Sequence, residues 1–252
     1  MTGVKDLYND VPLSVWKKVL DENMNYNFGT DFFSKEPFNN FKTVLEIGCG
    51  WGANIKSLKN MYGTKVTGVT NSEQQAKYLN DENIILADAE NFNPTEKYDC
   101  TMFIQSSSHM LEDAFINGSK ASDKIFISDF LLKNSENSIF LKEWIMTFRT
   151  EKDYKDIFEK IGFNIKYLKS KPLSQFSENF SSLLKNIKNN KFVKDYQMEL
   201  LENLCENFLG FLSSDNDFPI KKCKDCNDFD CKTECGFFSN LHIVEIYGER
   251  IK

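Results

Sequence analysis

Short apolar runs alternate with amphipathic stretches along the first two thirds of the chain. Helical patterns follow several of these runs, among them one that ends at Gly63, one that opens at Ser72 and stretches that reach to Gly162. Strands that alternate with helices of this length indicate crossover units and a parallel sheet. The strand-like runs are TVLEIG from Thr43, KVTGVT, NIILA, YDCTMFI, KIFISDF, FNIKYLK at 163–169 and LHIVEIYGE at 241–249.

Two regions fall outside this alternation. Pro12 stands near a helix start, and an apolar face follows it, which predicts a helical cap over the first part of the chain. About 70 residues separate the last two strand-like runs, which is long for a loop. Apolar residues recur there at helical spacing, so we expect a helical insertion before the last strand. The residues that carry these two patterns are Val15, Trp16, Val19 and Leu20 in the cap, and Phe176, Phe180, Leu184, Ile187, Leu200, Leu204, Phe208 and Leu212 in the insertion.

Size and composition restrict the class of protein. With 252 residues, 41% hydrophobic and 27% charged, the chain is long enough for one substantial core with an insertion. We expect a cap at 1–42, a core formed by 43–170 and 237–252, and a lid at 171–236. The net charge of −6 and the pI near 5.2 argue against nucleic acid as a partner. Neither a membrane-length apolar run nor a signal-peptide pattern is present, which predicts a cytoplasmic protein without a membrane partner.

The most informative motif is VLEIGCGWG at residues 44–52. Strand-like residues lead into a turn with glycines at 48, 50 and 52, and a helical pattern follows. Glycine suits a turn where a cofactor approaches the backbone closely and where φ can be positive. A dinucleotide fingerprint would have its third glycine at 53, where this chain has Ala53. The alternating glycines therefore predict a small adenosine-bearing ligand.

With Glu46 two residues before Gly48, the turn resembles motif I of the class I S-adenosylmethionine-dependent methyltransferases. The resemblance runs over most of residues 20–170 and the last strand. It is closest to the branch that includes the cyclopropane-fatty-acid synthases and related small-molecule methyltransferases. It implies an α/β fold with a Rossmann-like, seven-stranded and mostly parallel sheet, an N-terminal helical cap and a helical insertion before the last strand. It also implies S-adenosyl-L-methionine as the cofactor.

The resemblance implies a set of cofactor-binding residues. NMNYNFGTDF at 23–32 is similar to the segment whose tyrosine and following polar residue reach the methionine carboxylate. VTGVTNSEQQ at 66–75 is similar to the second-strand motif in which a Thr and a Gln replace the usual ribose-binding acid. Asp88 and Ala89 follow the third strand, where the family contacts adenine. The implied residues are Tyr26, Asn27, Glu46, Gly48, Cys49, Gly50, Gly52, Thr70, Asn71, Gln75, Asp88, Ala89 and Gln105.

Two of these residues have a structural alternative. Gln75 stands three residues after Ser72, and S-x-x-Q is also the pattern of a helix capping box. Asp88 follows a strand at the carboxyl edge of the predicted sheet, where ligands of open α/β sheets bind. A solvated loop carboxylate is the alternative for Asp88.

The stretch IQSSSHM at 104–110 closes the fourth predicted strand. The family lines its methyl-transfer site there and commonly ends the segment in a His-Met pair, with which His109 and Met110 are in register. Asp129, at the end of KIFISDF, falls where some natural-product O-methyltransferases carry an acid that faces the acceptor. Since the two strands are neighbours, we predict His109 as general base or acceptor-orienting group with Asp129 beside it. His242, inside the last predicted strand, is expected to pack, and a structural role is the alternative for His109.

Two departures from the family restrict the expected chemistry. Cyclopropane synthases keep a glutamate just before the histidine and a cysteine two residues after the tyrosine, and these help bind bicarbonate. This chain has Ser108 and Phe28 at those positions, so cyclopropanation is disfavoured. The usual Pro-Gly-Gly turn before the fifth strand is replaced by GSKASD at 118–123.

Four cysteines near the end of the insertion have the spacing C-x2-C-x4-C-x3-C. Four thiols so close in sequence can converge on one metal, and the pattern resembles a zinc knuckle whose histidine is replaced by cysteine. Tetrathiolate sites hold zinc or iron–sulfur clusters, and the spacing does not select between them. An unmetallated or disulfide-bonded loop is the alternative. The predicted ligands are Cys223, Cys226, Cys231 and Cys235.

Together these patterns predict an S-adenosylmethionine-dependent methyltransferase that transfers a methyl group to an O or N atom of a small molecule. Two other functions stay open at this point. One is a non-catalytic S-adenosylmethionine-binding protein with a metal-binding cysteine module, and the other is methylation of a macromolecule. The sequence does not predict the oligomeric state or the acceptor.

Overall fold

The computed structural model describes residues 8–20, 24, 31–34, 36–133, 138–141, 146–189 and 241–252. The strands are β1 (Thr43–Ile47), β2 (Lys65–Thr70), β3 (Ile84–Leu86), β4 (Cys100–Ile104), β5 (Lys124–Leu132), β6 (Ile139–Leu141), β7 (Met146–Thr150), β8 (Phe163–Pro172) and β9 (Leu241–Arg250). The α-helices are α1 (Leu13–Val19), α2 (Ala53–Tyr62), α3 (Glu73–Leu79), α4 (Glu112–Ser119), α5 (Glu151–Lys160) and α6 (Ser177–Asn189). Short 3-10 turns lie at Asp31–Ser34, Phe38–Asn40, Ser107–His109 and Leu173–Phe176.

The central sheet has the predicted parallel arrangement. The parallel strands follow the order β3-β2-β1-β4-β5, so that the order reverses between β1 and β4. β9 runs antiparallel to the whole of β5, from the pair Lys124–Glu249 to the pair Leu132–Leu241, and β8 pairs antiparallel with β9. The expectation of a Rossmann-like, mostly parallel α/β sheet is confirmed. The crevice of such a sheet lies at the carboxyl ends of β1 and β4, where its strand order reverses.

A hairpin adds β6 and β7 to the seven predicted strands. β7 pairs parallel with β5 at Leu131 and Leu132, beyond Ser128, the last residue of β5 that pairs with β4. Because β9 occupies the other edge of β5, β7 lies on the edge that β4 uses, directly past the end of β4. The expectation of helical stretches from the fifth strand to Gly162 is wrong over this hairpin, and α5 is the one helix in the described part of this range. The apolar spacing at 139–150 suits either element, and pairing with β5 selects the strand.

Helix ends confirm several local sequence signals. α2 ends at Gly63, which has φ +69° and donates its N–H to the Lys59 carbonyl. Ser72 is the N-cap of α3 and accepts from the N–H of Gln75. α5 follows β7 without a loop because Thr150 and Asp153 form a capping box, in which each side chain accepts from the other residue's N–H.

The cap and the start of the insertion pack on each other. α1 begins directly after Pro12 and buries Val15, Trp16 and Val19. The Asn186 side chain of α6 donates to the Val19 carbonyl at 3.0 Å, and further buried residues join the two helices to the carboxyl end of β5. The apolar pattern expected at 200–212 lies outside the described residues. The joining residues are Leu183, Ile187, Phe130, Leu132 and Phe148. No helix in the described ranges has the length and apolar character of a membrane span.

Candidate active site

The glycine turn connects β1 to α2 at the crevice. Gly48, Gly50 and Gly52 have φ values of +79°, +53° and +79°, which is the region that favours glycine. The N–H groups of Gly48 and Cys49 both donate to the Val69 carbonyl, at 2.8 and 2.9 Å. The turn is therefore fixed to β2 by its own backbone.

The three glycines face different surroundings. A Cβ built on Gly48 would lie 2.4 Å from the Cβ of Ser106, and one built on Gly52 would lie 2.4 Å from a methyl carbon of Leu79. A Cβ on Gly50 would meet no atom of the described residues within 4 Å. Packing within the protein therefore explains Gly48 and Gly52, whereas the backbone around Gly50 is open to a ligand.

Glu46 lies beneath this turn with its side chain fully buried. Its Oε1 accepts from the Asn54 side chain at 2.6 Å, and its Oε2 has no hydrogen-bond partner among the described residues. Burial raises the pKa of Glu46 to about 8, although the hydrogen bond from Asn54 acts in the opposite direction. A buried carboxyl oxygen without a partner is uncommon and suits a cationic ligand. S-adenosylmethionine carries an ammonium and a sulfonium group, so the turn and Glu46 fit this cofactor.

The end of β2 brings Thr70 and Gln75 together. The Thr70 hydroxyl donates to Gln75 Oε1 at 2.7 Å, and the Ser72 N–H donates to Thr70 Oγ1 at 3.1 Å. Ser72 Oγ accepts from the Gln75 N–H at 3.2 Å, which is one half of a capping box. In a complete capping box the Gln75 side chain would also accept from the Ser72 N–H. Here Thr70 accepts from that N–H instead. The Gln75 side chain thus lies at the carboxyl end of β2, where the predicted ribose contact requires it.

The N-terminal segment contacts the start of α3 beside this pair. Asn9 Oδ1 accepts from the Ser72 hydroxyl at 2.8 Å and from the Gln74 N–H at 3.3 Å. The Gln74 side chain donates to the carbonyls of Tyr8 and Val11. These bonds hold the cap at the edge of the predicted cofactor site.

Asp88 is exposed after β3, and Ala89 beside it is buried. The two oxygens of Asp88 accept from the Glu90 N–H at 3.2 Å and from the Asn91 side chain at 3.3 Å. Glu90 Oε1 accepts in turn from the Leu111 N–H at 3.0 Å, which joins this loop to the segment that follows His109. The adenine contact of Asp88 and Ala89 stays a prediction.

The segment after β4 turns sharply toward the glycine turn. Gln105 has φ +52°, an uncommon value for a residue with a side chain, and its N–H donates to the Ser128 carbonyl at 2.7 Å. The Ser106 hydroxyl donates to the Ile47 carbonyl at 2.8 Å, which joins the ends of β4 and β1. The 3-10 turn Ser107–His109 follows, with His109 half-buried at the crevice. We call residues 107–110 the histidine turn.

Asp129 holds the histidine turn from below. Its side chain is fully buried, and its Oδ2 accepts from the Ser107 hydroxyl at 2.7 Å and from the Ser108 N–H at 2.9 Å. Its Oδ1 accepts from the Phe130 N–H at 2.8 Å. The structure therefore brings Asp129 and the segment of His109 into one network, with the carboxylate behind the turn and not at its surface. The catalytic roles of both residues stay predictions.

Arg149 and Tyr154 belong to the same network, and neither residue lies in a recognisable sequence motif. Arg149 of β7 donates to the Ser107 carbonyl at 2.7 Å and to the Met110 carbonyl at 2.5 Å. The Tyr154 hydroxyl donates to the Phe130 carbonyl at 3.1 Å, and burial together with the Asp129 charge raises the pKa of Tyr154. Composition is the one sequence feature that sets Arg149 apart, since the chain has two arginines among its 31 Lys and Arg residues.

Several predicted residues lie outside the described part of the chain, and others have surroundings that suit a structural role. Cys49 belongs to the glycine turn, and its thiol is buried and free. The ranges given above hold no group of three or more His, Cys, Asp or Glu side chains able to bind a metal. His242 lies in β9 as predicted, and burial with the nearby Lys133 charge lowers its pKa. The predicted residues outside the described part are Tyr26, Asn27, Cys223, Cys226, Cys231 and Cys235.

Comparison with known proteins supports the resemblance first noticed at the glycine turn. The family model described as "Mycolic acid cyclopropane synthetase" matches residues 30–91. The (S)-tetrahydroprotoberberine N-methyltransferase of Eschscholzia californica is 33% identical over 79 residues, which are 27% of this chain and 23% of that protein. Cyclopropane mycolic acid synthase MmaA2 of Mycobacterium tuberculosis is 31% identical over 100 residues, which are 36% of this chain and 34% of that protein. The matched stretches thus span 23% and 34% of the length of these two relatives.

Solved structures match over nearly the whole chain. The cyclopropane synthase MmaA2 of Mycobacterium tuberculosis superposes with a TM-score of 0.66 at 17% identity, covering 98% of this chain and 97% of that one. Coclaurine N-methyltransferase bound to N-methylheliamine and SAH superposes with a TM-score of 0.65 at 16% identity, covering 99% of this chain and 83% of that one. At identities this low, the superpositions establish a common fold and nothing more specific.

Proposed function

We propose that this chain, which has the fold of the class I S-adenosylmethionine-dependent methyltransferases and is related to their cyclopropane-synthase branch over residues 30–91, is a methyltransferase for a small molecule. The methyl group goes from S-adenosylmethionine to an O or N atom of the acceptor. The observation that carries this proposal is the open backbone at Gly50 above the unpartnered carboxyl oxygen of Glu46, next to the histidine turn.

The residues for the cofactor lie along the carboxyl ends of three adjacent strands. The glycine turn and Glu46 would hold its amino-acid end, Thr70 with Gln75 its ribose, and Asp88 with Ala89 its adenine. When bound, S-adenosylmethionine supplies an electrophilic methyl group on a positively charged sulfur. Holding the acceptor beside that group contributes on the order of 7–11 kcal/mol to catalysis.

His109 is the proposed group for the acceptor. An acceptor hydroxyl or ammonium has to lose a proton, and an imidazole at the crevice can accept it, which contributes roughly a hundred- to ten-thousand-fold in rate. The Ser108 hydroxyl is buried and has no hydrogen-bond partner among the described residues, and an acceptor that enters beside His109 would supply one. Ser108 replaces the glutamate of the cyclopropane synthases, which favours methyl transfer to a heteroatom over cyclopropanation.

Relatives that are named for activities on small molecules support this choice of acceptor class. One matched relative is an N-methyltransferase of a tetrahydroprotoberberine, and one matched fold is a coclaurine N-methyltransferase bound to N-methylheliamine. Methylation of a macromolecule and non-catalytic binding of the cofactor are the competing proposals. A metal at Cys223, Cys226, Cys231 and Cys235 is a separate proposal that rests on their spacing.

The test has two steps. Calorimetry with S-adenosylmethionine and with S-adenosylhomocysteine should show one site per chain, and an absence of binding would refute the proposal. Cell extract supplied with cofactor carrying a deuterated methyl group and with purified protein should then yield a small molecule with the added mass. The His109→Ala variant should bind the cofactor and give at least tenfold less product. Label found in protein or nucleic acid would instead support a macromolecular acceptor.

A further inference from the structure

Each of the two arginines of this chain donates to two backbone carbonyls and lies beside an aromatic ring. Arg149 donates to the carbonyls of Ser107 and Met110, and its guanidinium lies 5.2 Å from the centre of the Phe115 ring. Arg250 donates to the carbonyls of Ser119 and Ser122, its guanidinium lies 4.6 Å from the Phe163 ring, and it also forms an ion pair with Asp123. A planar fork with several donors makes such paired bonds, and the single ammonium of lysine does not. In a chain that otherwise uses lysine as its basic residue, these positions depend on the shape of the guanidinium.

Arg149 joins the two ends of the histidine turn. Its acceptors, the carbonyls of Ser107 and Met110, stand on either side of His109 in the sequence. The Ser107 carbonyl also accepts from the Met110 N–H at 3.1 Å, which closes the turn. The guanidinium therefore fixes the distance between the two peptide groups that carry His109.

Asp129 acts on the same turn with the opposite charge. It accepts from the hydroxyl of Ser107, while Arg149 donates to the carbonyl of the same residue. Arg149 is 5% exposed and Asp129 is fully buried. Both side chains therefore direct their polar atoms at Ser107, and removing one partner from a buried charged network is costly. Since neither side chain reaches the crevice surface, any influence on an acceptor passes through the turn.

The backbone of Arg149 is held on both sides. Arg149 pairs with Leu131 in the parallel β5–β7 ladder, and Thr150 next to it is the N-cap of α5 with a complete capping box. The side chain therefore starts from a fixed position, and its planar guanidinium loses less conformational freedom per hydrogen bond than a lysine ammonium does.

From this arrangement we infer that Arg149 is a positioning residue, which holds the imidazole of His109 in one orientation toward the methyl acceptor. The statement that the imidazole faces a methyl acceptor rests on the proposed function. The statement that Arg149 fixes the orientation of His109 does not. It assigns a role to the β6–β7 hairpin, which supplies the guanidinium from beyond the end of β4.

The chain is suited to a direct test because it has two histidines. Protein labelled with ¹³C and ¹⁵N in histidine gives two ring signals, and the His242→Gln variant identifies that of His109. The variants to compare are Arg149→Lys, which keeps the charge and reaches one carbonyl, and Arg149→Met, which keeps the apolar stem. Arg250→Met is the control because it removes two carbonyl contacts and a ring contact of the same kind at a distant position, together with the ion pair to Asp123. Binding of S-adenosylhomocysteine is measured for each variant.

In the wild type we expect one sharp ring signal for His109. In Arg149→Met that signal should shift by more than its line width and broaden or double, and in Arg149→Lys it should change by a smaller amount. Arg250→Met should lower the melting temperature and leave the His109 signal unchanged. Affinity for S-adenosylhomocysteine should change less than about twofold in either Arg149 variant, since Arg149 contacts the histidine turn and not the glycine turn.

A His109 signal at the wild-type position in a folded Arg149→Lys or Arg149→Met protein would overturn the inference, as would an equal change in Arg250→Met. If Arg149→Met does not fold, the Arg149→Lys comparison alone decides. Failure of the wild type to bind S-adenosylhomocysteine would refute the proposed function without changing how the ring signals are interpreted. The two failures are therefore distinguishable.

Discussion

Gly48 and Ser106 approach each other so closely that a Cβ on Gly48 would lie 2.4 Å from the Cβ of Ser106. The contact joins the turn after β1 to the turn after β4, and the Ser106 hydroxyl reinforces it by donating to the Ile47 carbonyl. Two residues further on, Gly50 has the same kind of backbone conformation, but a Cβ there would meet none of the described residues within 4 Å. Two glycines of one motif thus differ, since packing explains the first and the proposed cofactor site explains the second.

Substitution at these glycines should separate folding from cofactor binding. Gly50→Val places a side chain where the described protein has no atom, so its cost to folding is the backbone strain of a positive φ, about 1–2 kcal/mol. We expect the variant to keep its native circular dichroism and to lose measurable affinity for S-adenosylhomocysteine in calorimetry. Gly48→Ala should instead lower stability in urea unfolding, because its Cβ would overlap Ser106.

Gly63→Val is the control for strain. Gly63 has φ +69° at the end of α2, and a Cβ there meets no described atom within 4 Å. The Gly63→Val variant should lose as much unfolding free energy as Gly50→Val and should bind S-adenosylhomocysteine with wild-type affinity. Micromolar binding by Gly50→Val would contradict the assignment of the turn to the cofactor.

The paired side chains at the end of β2 give a second prediction. Thr70→Val removes the hydroxyl that donates to Gln75, and if this pair holds the ribose, affinity for S-adenosylhomocysteine should fall by about tenfold, which corresponds to 1.4 kcal/mol. Ser72→Ala removes the N-cap of α3 and should cost about 1 kcal/mol of stability with little change in affinity. Equal affinities for the two variants would support the capping role of this segment and reject the ribose contact.

Local signals predicted the strands and turns at the crevice, because those depend on residues close in sequence. The turn at 44–52, the N-cap Ser72 and the C-cap Gly63 are all recognisable from a few residues. The β6–β7 hairpin was missed because the apolar spacing of its residues suits a helix or a strand. Its pairing with Leu131 and Leu132 of β5, which selects the strand, is a tertiary contact. Arg149 was missed for the same reason, since one basic residue in an apolar run becomes informative only when its acceptors are known. The burial of Asp129 behind the histidine turn likewise depends on that hairpin and on β9.

The pKa of Glu46 predicts how stability should depend on pH. In the folded, ligand-free protein it is about 8, above the ordinary value of 4.5 expected for the unfolded chain. Between these values the unfolded chain loses the proton and the folded chain keeps it, so stability should fall as the pH rises from about 4.5 to 8 and level off above that. The slope is about 1.4 kcal/mol per pH unit at most.

Glu46→Gln removes this dependence while keeping an oxygen that can accept from Asn54. Urea unfolding at pH 5.5, 7 and 8.5 should show that the wild type loses stability relative to the variant across this range. Parallel pH profiles for the two proteins would show that Glu46 is ionised in the folded state.

The four cysteines of the predicted metal site give a prediction that metal analysis and thiol titration test together. Protein purified without chelator should contain about one zinc, or iron with sulfide, per chain if the thiols converge on one site. Replacing Cys226 and Cys231 by Ser should remove the metal, whereas Cys100→Ser, at a buried free thiol of β4, should not. Four titratable thiols or two disulfides in metal-free native protein would contradict the site.

Pro172 at the end of β8 pairs with His242 at the start of β9, so the chain leaves the sheet and returns to it at neighbouring positions. A segment whose ends already meet can change in length with little effect on the strands it connects, because the entropy of closing a loop grows slowly with the number of residues. A change in the length of this segment should therefore keep the order of the strands, provided that α6 keeps its contacts with α1 and with the end of β5. On the proposed function, a lid in this segment would face the acceptor while the glycine turn holds the cofactor, so a chimaera that takes the residues after α6 from a methyltransferase of different substrate tests whether the two can change independently.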